Sequence, residues 1–296
     1  MSTVVTVTAN TLVDLLADGE VVPGAVSRVG RFTPIPGGKG LNVSRVLASH
    51  GHRVVACGFA GGDTGRMLAD LVAADGVEPA FTQTGARTRL GVQIQGARSA
   101  TTVVEDGFPV SANEVGQCLA RIRALLDGAD LVVCGGSVPD VAARDLYRHV
   151  ADACAHRGVP CWIDAYGPAM EAALAGAHPP ALAKPNQQEY AGLDAQRWLG
   201  CRELHVSDGP NPLRVLHPEG RFRVRPPAVA EVNPVGSGDC YLGALAHARL
   251  SGWPLPEQLR YAAAAGAVNA ARPGIADLRP EDIAPHLARV QVEREP

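Results

Sequence analysis

The hydrophobic positions form short continuous runs, and between them they recur with the period of a helix. Short runs rich in β-branched residues predict buried strands, whereas apolar residues three and four apart predict helices. The predicted strands are Val4–Thr8, Val54–Phe59, Leu131–Cys134, Val159–Asp164, Ala181–Lys184, Glu203–Ser207, Leu213–Leu216 and Arg221–Arg225. The predicted helices are 42–50, 61–74, Ser111–Leu126, Val141–His156, Gly167–Ala175, Glu231–Leu250 beyond its glycine turn, Leu255–Ala271 and Pro280–Val290. This alternation of strand and helix predicts an α/β protein.

Three segments depart from this alternation. Phe81–Gln95 and Ser99–Val104 alternate in polarity, as strands do in a sheet with one wet face. The segment from Gly19 to Pro36 is broken by prolines and glycines and predicts a hairpin or flap. Arg87 and Arg89 share one face if their segment is extended, so either a phosphate clamp or solvated edge charges would explain them.

Composition narrows the class of protein. The chain has 296 residues, 46% of them hydrophobic and 19% charged, which is enough for a large folded core. A formal net charge of −3 argues against a nucleic-acid scaffold or a polybasic membrane binder. No apolar run predicts a membrane span or a signal peptide. The seven cysteines include no CxxC pair and predict small core residues in a reducing, cytoplasmic setting.

The stretch EVNPVGSGDCYLGALAHARL, Glu231–Leu250, carries the strongest chemical signal. An extended run, Ala228–Val232, leads to a turn and then to the glycine-rich entry of a helix. Free N–H groups and the helix dipole suit an anion there, and glycines permit close approach. Asp239 beside such an anion site would take a proton from a hydroxyl that attacks phosphorus. A plain helix start, with Asp239 countering the dipole, is the alternative.

Three further motifs carry polar groups next to glycine or proline. Gly37–Asn42 opens a helix without the spacing of a nucleotide P-loop, and Gly135–Pro139 follows a strand. KPNQQE, at 184–189, places Asn186 and Glu189 on one face of a helix start, where they would suit Mg²⁺ or form a helix cap. Asp14, just after the first strand, is interpreted as a ligand contact at a strand's carboxyl end or as a turn residue.

Lysine is rare in this chain. Only two of the 27 basic residues are lysines, Lys39 and Lys184, and both fall inside these motifs. A lysine supplies a compact point charge, whereas arginine supplies a planar fork. The placement therefore favours a function for both ammonium groups.

These motifs, in this order, resemble the ribokinase-like (PfkB-type) carbohydrate kinases. GGKGLN is similar to the first signature of that family and NPVGSGDCYLG to the second. NPVGSGD, KPNQQE, GGSVP and Thr88–Arg89 most resemble the 1-phosphofructokinase and tagatose-6-phosphate kinase branch. The resemblance implies a central, mostly parallel sheet flanked by helices, with a small β-sheet lid. The large nucleotide-binding domain would comprise 1–11, 35–87 and 108–296, and the lid 12–34 and 88–107.

The resemblance also implies a role for each matching residue, with ATP and Mg²⁺ as cofactors. Asp239 would be the catalytic base, and the anion hole would be Gly236, Ser237 and Gly238. The residues expected to contact the sugar or its phosphate are Asp14, Gly38, Lys39, Gly40, Asn42, Arg89 and Ser137, with Arg28 a weaker candidate. The residues expected at ATP are Lys184, Asn186, Ser207, Gly209 and Asn269, with Asn186 and Glu189 near the metal. A homodimer paired through the lid is a further expectation.

Several residues depart from the family pattern and leave the acceptor open. Gly91 stands where the family often has Asn, Thr11 replaces a proline, and Asp208 and Pro210 intrude beside the expected nucleotide phosphates. The expected reaction is transfer of the ATP γ-phosphoryl group to a ketohexose phosphate of the fructose-1-phosphate, tagatose-6-phosphate or fructose-6-phosphate type. A kinase for an unphosphorylated sugar or nucleoside and a non-catalytic sugar-binding regulator are the alternatives. A dinucleotide-dependent oxidoreductase fits poorly, because the GxGxxG spacing fails.

Overall fold

A computed structural model describes residues 1–96 and 100–296 of the chain. Ser99, the first residue of one predicted strand, lies outside the described residues. The α-helices are α1 (Lys39–Ser49), α2 (Gly62–Ala74), α3 (Ala112–Leu125), α4 (Leu146–Arg157), α5 (Gly167–Leu174), α6 (Gln187–Ala191), α7 (Ser237–Leu250), α8 (Leu255–Ala270) and α9 (Pro280–Ile283). Short 3-10 helices cover Leu126–Gly128, Val141–Ala143, Ala195–Gly200 and Ala284–Arg289.

The strands belong to one large sheet and one small sheet. Those of the large sheet are β1 (Thr3–Thr8), β4 (Arg53–Ala60), β5 (Glu78–Pro79), β6 (Thr82–Gln83), β9 (Leu131–Gly135), β10 (Cys161–Asp164), β11 (Leu182–Ala183), β12 (Leu204–Asp208), β13 (Asn211–His217), β14 (Gly220–Arg225) and β15 (Gln291–Glu295). Those of the small sheet are β2 (Leu12–Asp18), β3 (Thr33–Gly37), β7 (Arg89–Gln95) and β8 (Ala100–Val104).

The large sheet is mostly parallel. Its order within the described residues is β15-β14-β13-β12-β11-β10-β9-β1-β4-β5, and β6 also pairs with β4. The run from β12 to β5 is parallel, while β13, β14 and β15 extend it as antiparallel strands. Parallel strands buried on both faces favour nearly continuous apolar sequence, which explains Leu131–Cys134 and the run Val4–Val7, where Thr6 is the one buried polar residue. Two apolar cores cover the two faces, and the α/β fold expected from the sequence is confirmed.

The small sheet has the order β3-β2-β7-β8. β2 pairs antiparallel with β3 and parallel with β7, so Asp14 lies opposite Gly91. Thr33–Gly37 continues past residue 34, the predicted boundary of the lid. Asp14 therefore belongs to a strand of the small sheet, and its interpretation as a residue just beyond the first strand is wrong.

Helices α1 and α7 lie side by side against the sheet. Gly243 of α7 faces Val46 of α1 so closely that a Cβ there would lie 2.8 Å from the Val46 Cβ. Nine of the fourteen residues in α7 are buried, among them Asp239. The close contact brings the amino ends of both helices, with Lys39, Asn42 and Asp239, to one place.

Other local predictions are confirmed or corrected by the fold. The helix predicted from Ser111 is α3, and the Ser111 hydroxyl caps it by accepting the Glu114 N–H in a capping box. The prediction of an extended run at 228–232 is wrong, because no strand forms there. The single helix predicted for Pro280–Val290 is wrong as well: one turn of α-helix and a 3-10 helix precede β15. None of the helices in residues 1–96 and 100–296 has both the length and the apolar composition of a membrane span.

Candidate active site

The candidate site lies at the carboxyl ends of the central strands, where helices α1 and α7 begin. This edge of a parallel sheet binds ligands in open α/β folds, because loops and helix amino ends converge there. A cavity of about 400 Å³ opens at this edge. Its lining combines residues of the small sheet with those of the large one: Asp14, Gly38, Lys39, Asn42, Lys184, Asn186, Glu189, Ser207, Gly236, Gly238 and Asp239 are among them.

Asp239 lies in the first turn of α7 and is 6% exposed. Asn42 Nδ2 donates a hydrogen bond of 2.7 Å to Asp239 Oδ2, which fixes the carboxylate. Burial raises the pKa of Asp239 to about 6; the Lys39 ammonium opposes this shift and the Asp164 carboxylate adds to it. At neutral pH the group is a carboxylate with a raised affinity for protons, as a general base requires.

Lys39 and Lys184 both meet the carboxylate of Asp164. Lys39 Nζ lies 2.9 Å from Asp164 Oδ1, and Lys184 Nζ lies 2.9 Å from Oδ2. Asp164 and Lys184 are 1% and 3% exposed, whereas 28% of the Lys39 side chain remains accessible. Although burial favours the neutral acid, the Lys184 and Lys39 ammonium groups hold the pKa of Asp164 below its ordinary value. One carboxylate thus orders two cations at the cavity.

Lys39 stays charged in this setting. Burial opposes its charge, but the carboxylates of Asp164, Asp239 and Glu189 raise the pKa of Lys39 above its ordinary value. Glu189 Oε1 lies 3.4 Å from the Lys39 ammonium. The cation therefore lies between the proposed base and the KPNQQE motif.

Glycines give ligands access to the amino ends of both helices. Gly236 precedes α7 with φ +81°, and a Cβ on Gly238 would lie 2.9 Å from Lys184 Nζ. Gly38 precedes α1 with φ +123°, and a Cβ on Gly40 would collide with the Thr8 hydroxyl. The helix entries therefore need glycine, and they present backbone N–H groups beside two ammonium groups. Ser237, the first residue of α7, lies between Gly236 and Gly238.

Asn186 and Glu189 form the helix cap that was the alternative to a metal site. Asn186 Oδ1 accepts the Glu189 N–H at 2.8 Å, and Glu189 Oε2 accepts the Asn186 N–H at 2.8 Å. Both side chains also line the cavity, and Asn186 bridges to Ser207 on β12. Within the described residues, no group of three or more His, Cys, Asp and Glu side chains is placed to hold a metal.

Arg89 and Ser137 come together through Asn10. Arg89 Nη2 donates to the Asn10 carbonyl at 3.1 Å, and Asn10 Nδ2 donates to Ser137 Oγ at 3.0 Å. Arg89 Nη1 donates to the Glu105 carbonyl, while its Nε is buried and bonds to nothing within the described residues. Burial lowers the pKa of Arg89 against the pull of nearby charges, which include Asp14. A guanidinium bonded only to carbonyls has capacity left for an anion.

Seven candidates are not among the residues that line this cavity: Gly40, Ser237, Arg89 and Ser137, described above, and Gly209, Arg28 and Asn269. Gly209 is exposed in the turn between β12 and β13, and Arg28 is exposed in the 19–32 loop. Asn269 is 1% exposed; its Nδ2 donates to the Val235 carbonyl and to Ser237 Oγ, and its Oδ1 accepts the Ala276 N–H. Asn269 therefore fixes the loop before α7 through these hydrogen bonds and does not line the cavity. Asp208 is exposed and accepts a hydrogen bond from Asn211, so its charge faces solvent.

The sequence reasoning missed Asp164 and Asn10. Both residues end or follow buried parallel strands, β10 and β1, at the edge where the other polar groups converge. The rule that singled out Asp14, a polar residue at the end of a strand, applied equally to Asp164. Its pairing with two lysines had no signature in the sequence, because the partners lie 125 residues before it and 20 residues after it.

Comparison with known proteins decides the family. The model of the pfkB family of carbohydrate kinases matches residues 2–282. The chain belongs to this family. The expectation of a carbohydrate kinase is thereby confirmed.

Solved structures agree with the family assignment. A possible 1-phosphofructokinase of Thermotoga maritima superposes with a TM-score of 0.90 at 22% identity, over 99% of this chain and 100% of that one. Phosphofructokinase-2 of Escherichia coli in complex with fructose-6-phosphate is 25% identical, with a TM-score of 0.85 over 97% and 99% of the chains. The tetrameric inhibited form of that enzyme is 26% identical, with a TM-score of 0.87 and the same coverage. The pfkB fold thus extends over nearly the whole chain.

Proposed function

We propose that this pfkB-family chain is an ATP-dependent kinase that phosphorylates a hydroxyl of a ketohexose phosphate. The acceptor would be of the fructose-1-phosphate, tagatose-6-phosphate or fructose-6-phosphate type. The observation that carries the proposal is the buried Asp239 carboxylate at the glycine-rich start of α7, beside the Lys39 and Lys184 ammonium groups. The fructose-6-phosphate bound to the E. coli relative supports the acceptor class.

The residues present fit the phosphates of ATP. Backbone N–H groups of α7 and two ammonium groups form an anion-binding donor set, and Gly238 leaves room for an anion beside Lys184. The donor set fits Mg²⁺ only as a cation carried with water and phosphate, since Asn186 and Glu189 are engaged in a cap. When bound, MgATP supplies the phosphoryl group and neutralises part of its charge.

The chain's own groups would perform the remaining work. Asp14 and Asn42 orient the sugar, and Arg89 with Ser137 bind its existing phosphate. Asp239 accepts the proton of the attacking hydroxyl as the oxygen approaches phosphorus. Lys39, Lys184 and the amides at Gly236–Gly238 stabilise the negative charge on the transferring group. These donors are fixed before reaction, so little reorganisation opposes the transition state.

We also propose that the protein works in the cytoplasm.

A further proposal concerns 12–34 and 88–107, which would act as a lid on the rest of the chain. Val22, Val26, Phe32, Val103 and Val104 of this region are between 42% and 87% exposed, which suits pairing with the lid of a second copy. The E. coli relative has a tetrameric form. Sedimentation analysis tests the pairing, and a strict monomer at enzyme-assay and higher concentrations would contradict it.

A pair of arginine variants tests the acceptor class. Arg89→Ala should raise KM for the sugar phosphate on the order of 10- to 100-fold, because a hydrogen bond to a charged group is lost. KM for ATP should stay unchanged. Arg87→Ala is the matched control, since Arg87 is exposed and paired with Glu105.

An ADP-release assay across hexose phosphates, free hexoses and nucleosides provides the readout. An Arg89→Ala variant with unchanged KM for the best acceptor would favour a kinase for an unphosphorylated sugar or nucleoside. Binding of sugars without any ATP consumption across the panel would favour a non-catalytic regulator.

A further inference from the structure

Gln93 occupies a place beside Asp14 that no motif in the sequence singles out. In the parallel pairing of β2 with β7, Asp14 lies opposite Gly91, and Gln93 lies opposite Leu16. Asp14 and Gln93 are thus diagonal neighbours on one face of the small sheet, a separation that a long side chain can bridge. Gln93 is 8% exposed, and its Nε2 donates to Asp14 Oδ2 at 3.1 Å.

Gly91 makes this contact possible. A Cβ on Gly91 would lie 2.7 Å from Asp14 Oδ1 and 2.8 Å from Leu12 Cδ1. Any side chain there would push the carboxylate out of its present position. The missing side chain at residue 91 lets the carboxylate lie against the strand, within reach of the Gln93 amide.

The Asp14 carboxylate has unused acceptor capacity. Its Oδ1 is buried and has no hydrogen-bond partner among the described residues. Burial raises the pKa of Asp14 above its ordinary value, and hydrogen bonds from the Leu15 backbone and from Gln93 lower it. An ionised carboxylate has about four acceptor positions, so room remains for hydroxyl donors. Asp14 also lines the cavity that contains Lys39 and Asp239.

We propose that Gln93 is a specificity-determining residue of the kinase, acting by fixing the rotation of the Asp14 carboxylate against Gly91. This inference rests on the proposed function, in which Asp14 receives the hydroxyls of the acceptor sugar. With one carboxylate oxygen held by an amide, the other acceptor positions have fixed directions. Acceptors whose hydroxyls match those directions are bound, and epimers with one hydroxyl inverted are bound less well.

The variant Gln93→Met tests this assignment, because it keeps the length of the side chain and removes the amide. Gln95→Met is the matched control: Gln95 lies two residues further along β7, and its Nε2 donates to the Val232 carbonyl instead of Asp14. Fructose 6-phosphate and tagatose 6-phosphate, which differ only in the configuration at C4, are the probes. Their kcat/KM values and their equilibrium binding are measured for each protein.

Gln93→Met should change the ratio of kcat/KM between the two epimers by about tenfold, the effect of one hydrogen bond to a charged group. KM for ATP should not change, and Gln95→Met should keep the wild-type ratio. An unchanged ratio in Gln93→Met would overturn the proposal, even if kcat/KM falls for both epimers, since a uniform loss indicates packing alone. If Gln93→Met does not fold, Gln93→Asn, which shortens the amide by one methylene, takes its place.

Failure of the proposed function gives a different result. In that case the wild-type protein itself would neither bind nor phosphorylate either epimer. The same comparison is then made with whichever pair of epimeric ligands the wild-type protein binds. The ratio of the affinities for those two ligands, compared between the wild type and Gln93→Met, still decides the role of Gln93.

Discussion

Asp239→Asn is expected to slow turnover by orders of magnitude and, at the same time, to stabilise the folded protein at neutral pH. The amide cannot accept the hydroxyl proton, so kcat should fall by about 10²- to 10⁴-fold. Its carbonyl can still accept the hydrogen bond from Asn42 Nδ2 that Asp239 Oδ2 accepts now. The variant therefore resembles the protonated carboxyl in shape and in charge.

The size of the expected gain in stability follows from the cost of burying the Asp239 charge. The folded-state pKa of Asp239 is about 6, against an ordinary value of 3.8. Because the folded-state value is the higher one, the carboxyl favours folding below pH 3.8, and this contribution is lost as the pH rises through 6. The loss amounts to about 3 kcal/mol at pH 7 and to roughly half of that at pH 5. Asp239→Asn removes this charge and should therefore raise the free energy of unfolding by these amounts.

Urea unfolding of both proteins at pH 7 and pH 5, followed by circular dichroism, measures the difference. Asp70→Asn is the control: it removes an exposed carboxylate from α2 and should change the free energy of unfolding by less than about 0.5 kcal/mol. A variant less stable than the wild type at pH 7 would refute the reasoning, because it would mean that the Asp239 charge stabilises the fold. A gain of equal size at both pH values would refute the link to ionisation.

Two further predictions concern the same charges. The wild-type kcat should fall about tenfold per pH unit below pH 6, because Asp239 must be ionised to accept a proton; a flat pH profile between 5 and 7 at saturating substrates would contradict this role. Asp164→Asn and Lys39→Met should each lower kcat/KM, and together they should cost less than the sum of their effects by about 1 kcal/mol or more, because they share an ion pair. Strictly additive losses would show that Asp164 does not position Lys39.

Local sequence was sufficient for most of the secondary structure. The strand at Val4–Thr8 and the helix that follows Ser111 are decided by residues within a few positions of one another, so hydrophobic periodicity predicts them. The failures lie where local pattern is weak. The run at 228–232 has strand-like composition but no strand partner, and β15 is fixed by pairing with β14, which is some 70 residues earlier.

The residues of the candidate site show the same difference between local features and contacts with distant parts of the chain. The glycine-rich helix entries at Gly38 and Gly236 and the acid at residue 239 can be predicted from the sequence, because the backbone conformation and the helix position are local properties. The pairing of Asp164 with both lysines and the hydrogen bond from Asn42 to Asp239, across 197 residues, become visible only in the folded chain. Such contacts depend on which strand ends become neighbours in the sheet, and strand order leaves no trace in the spacing of residues along the chain.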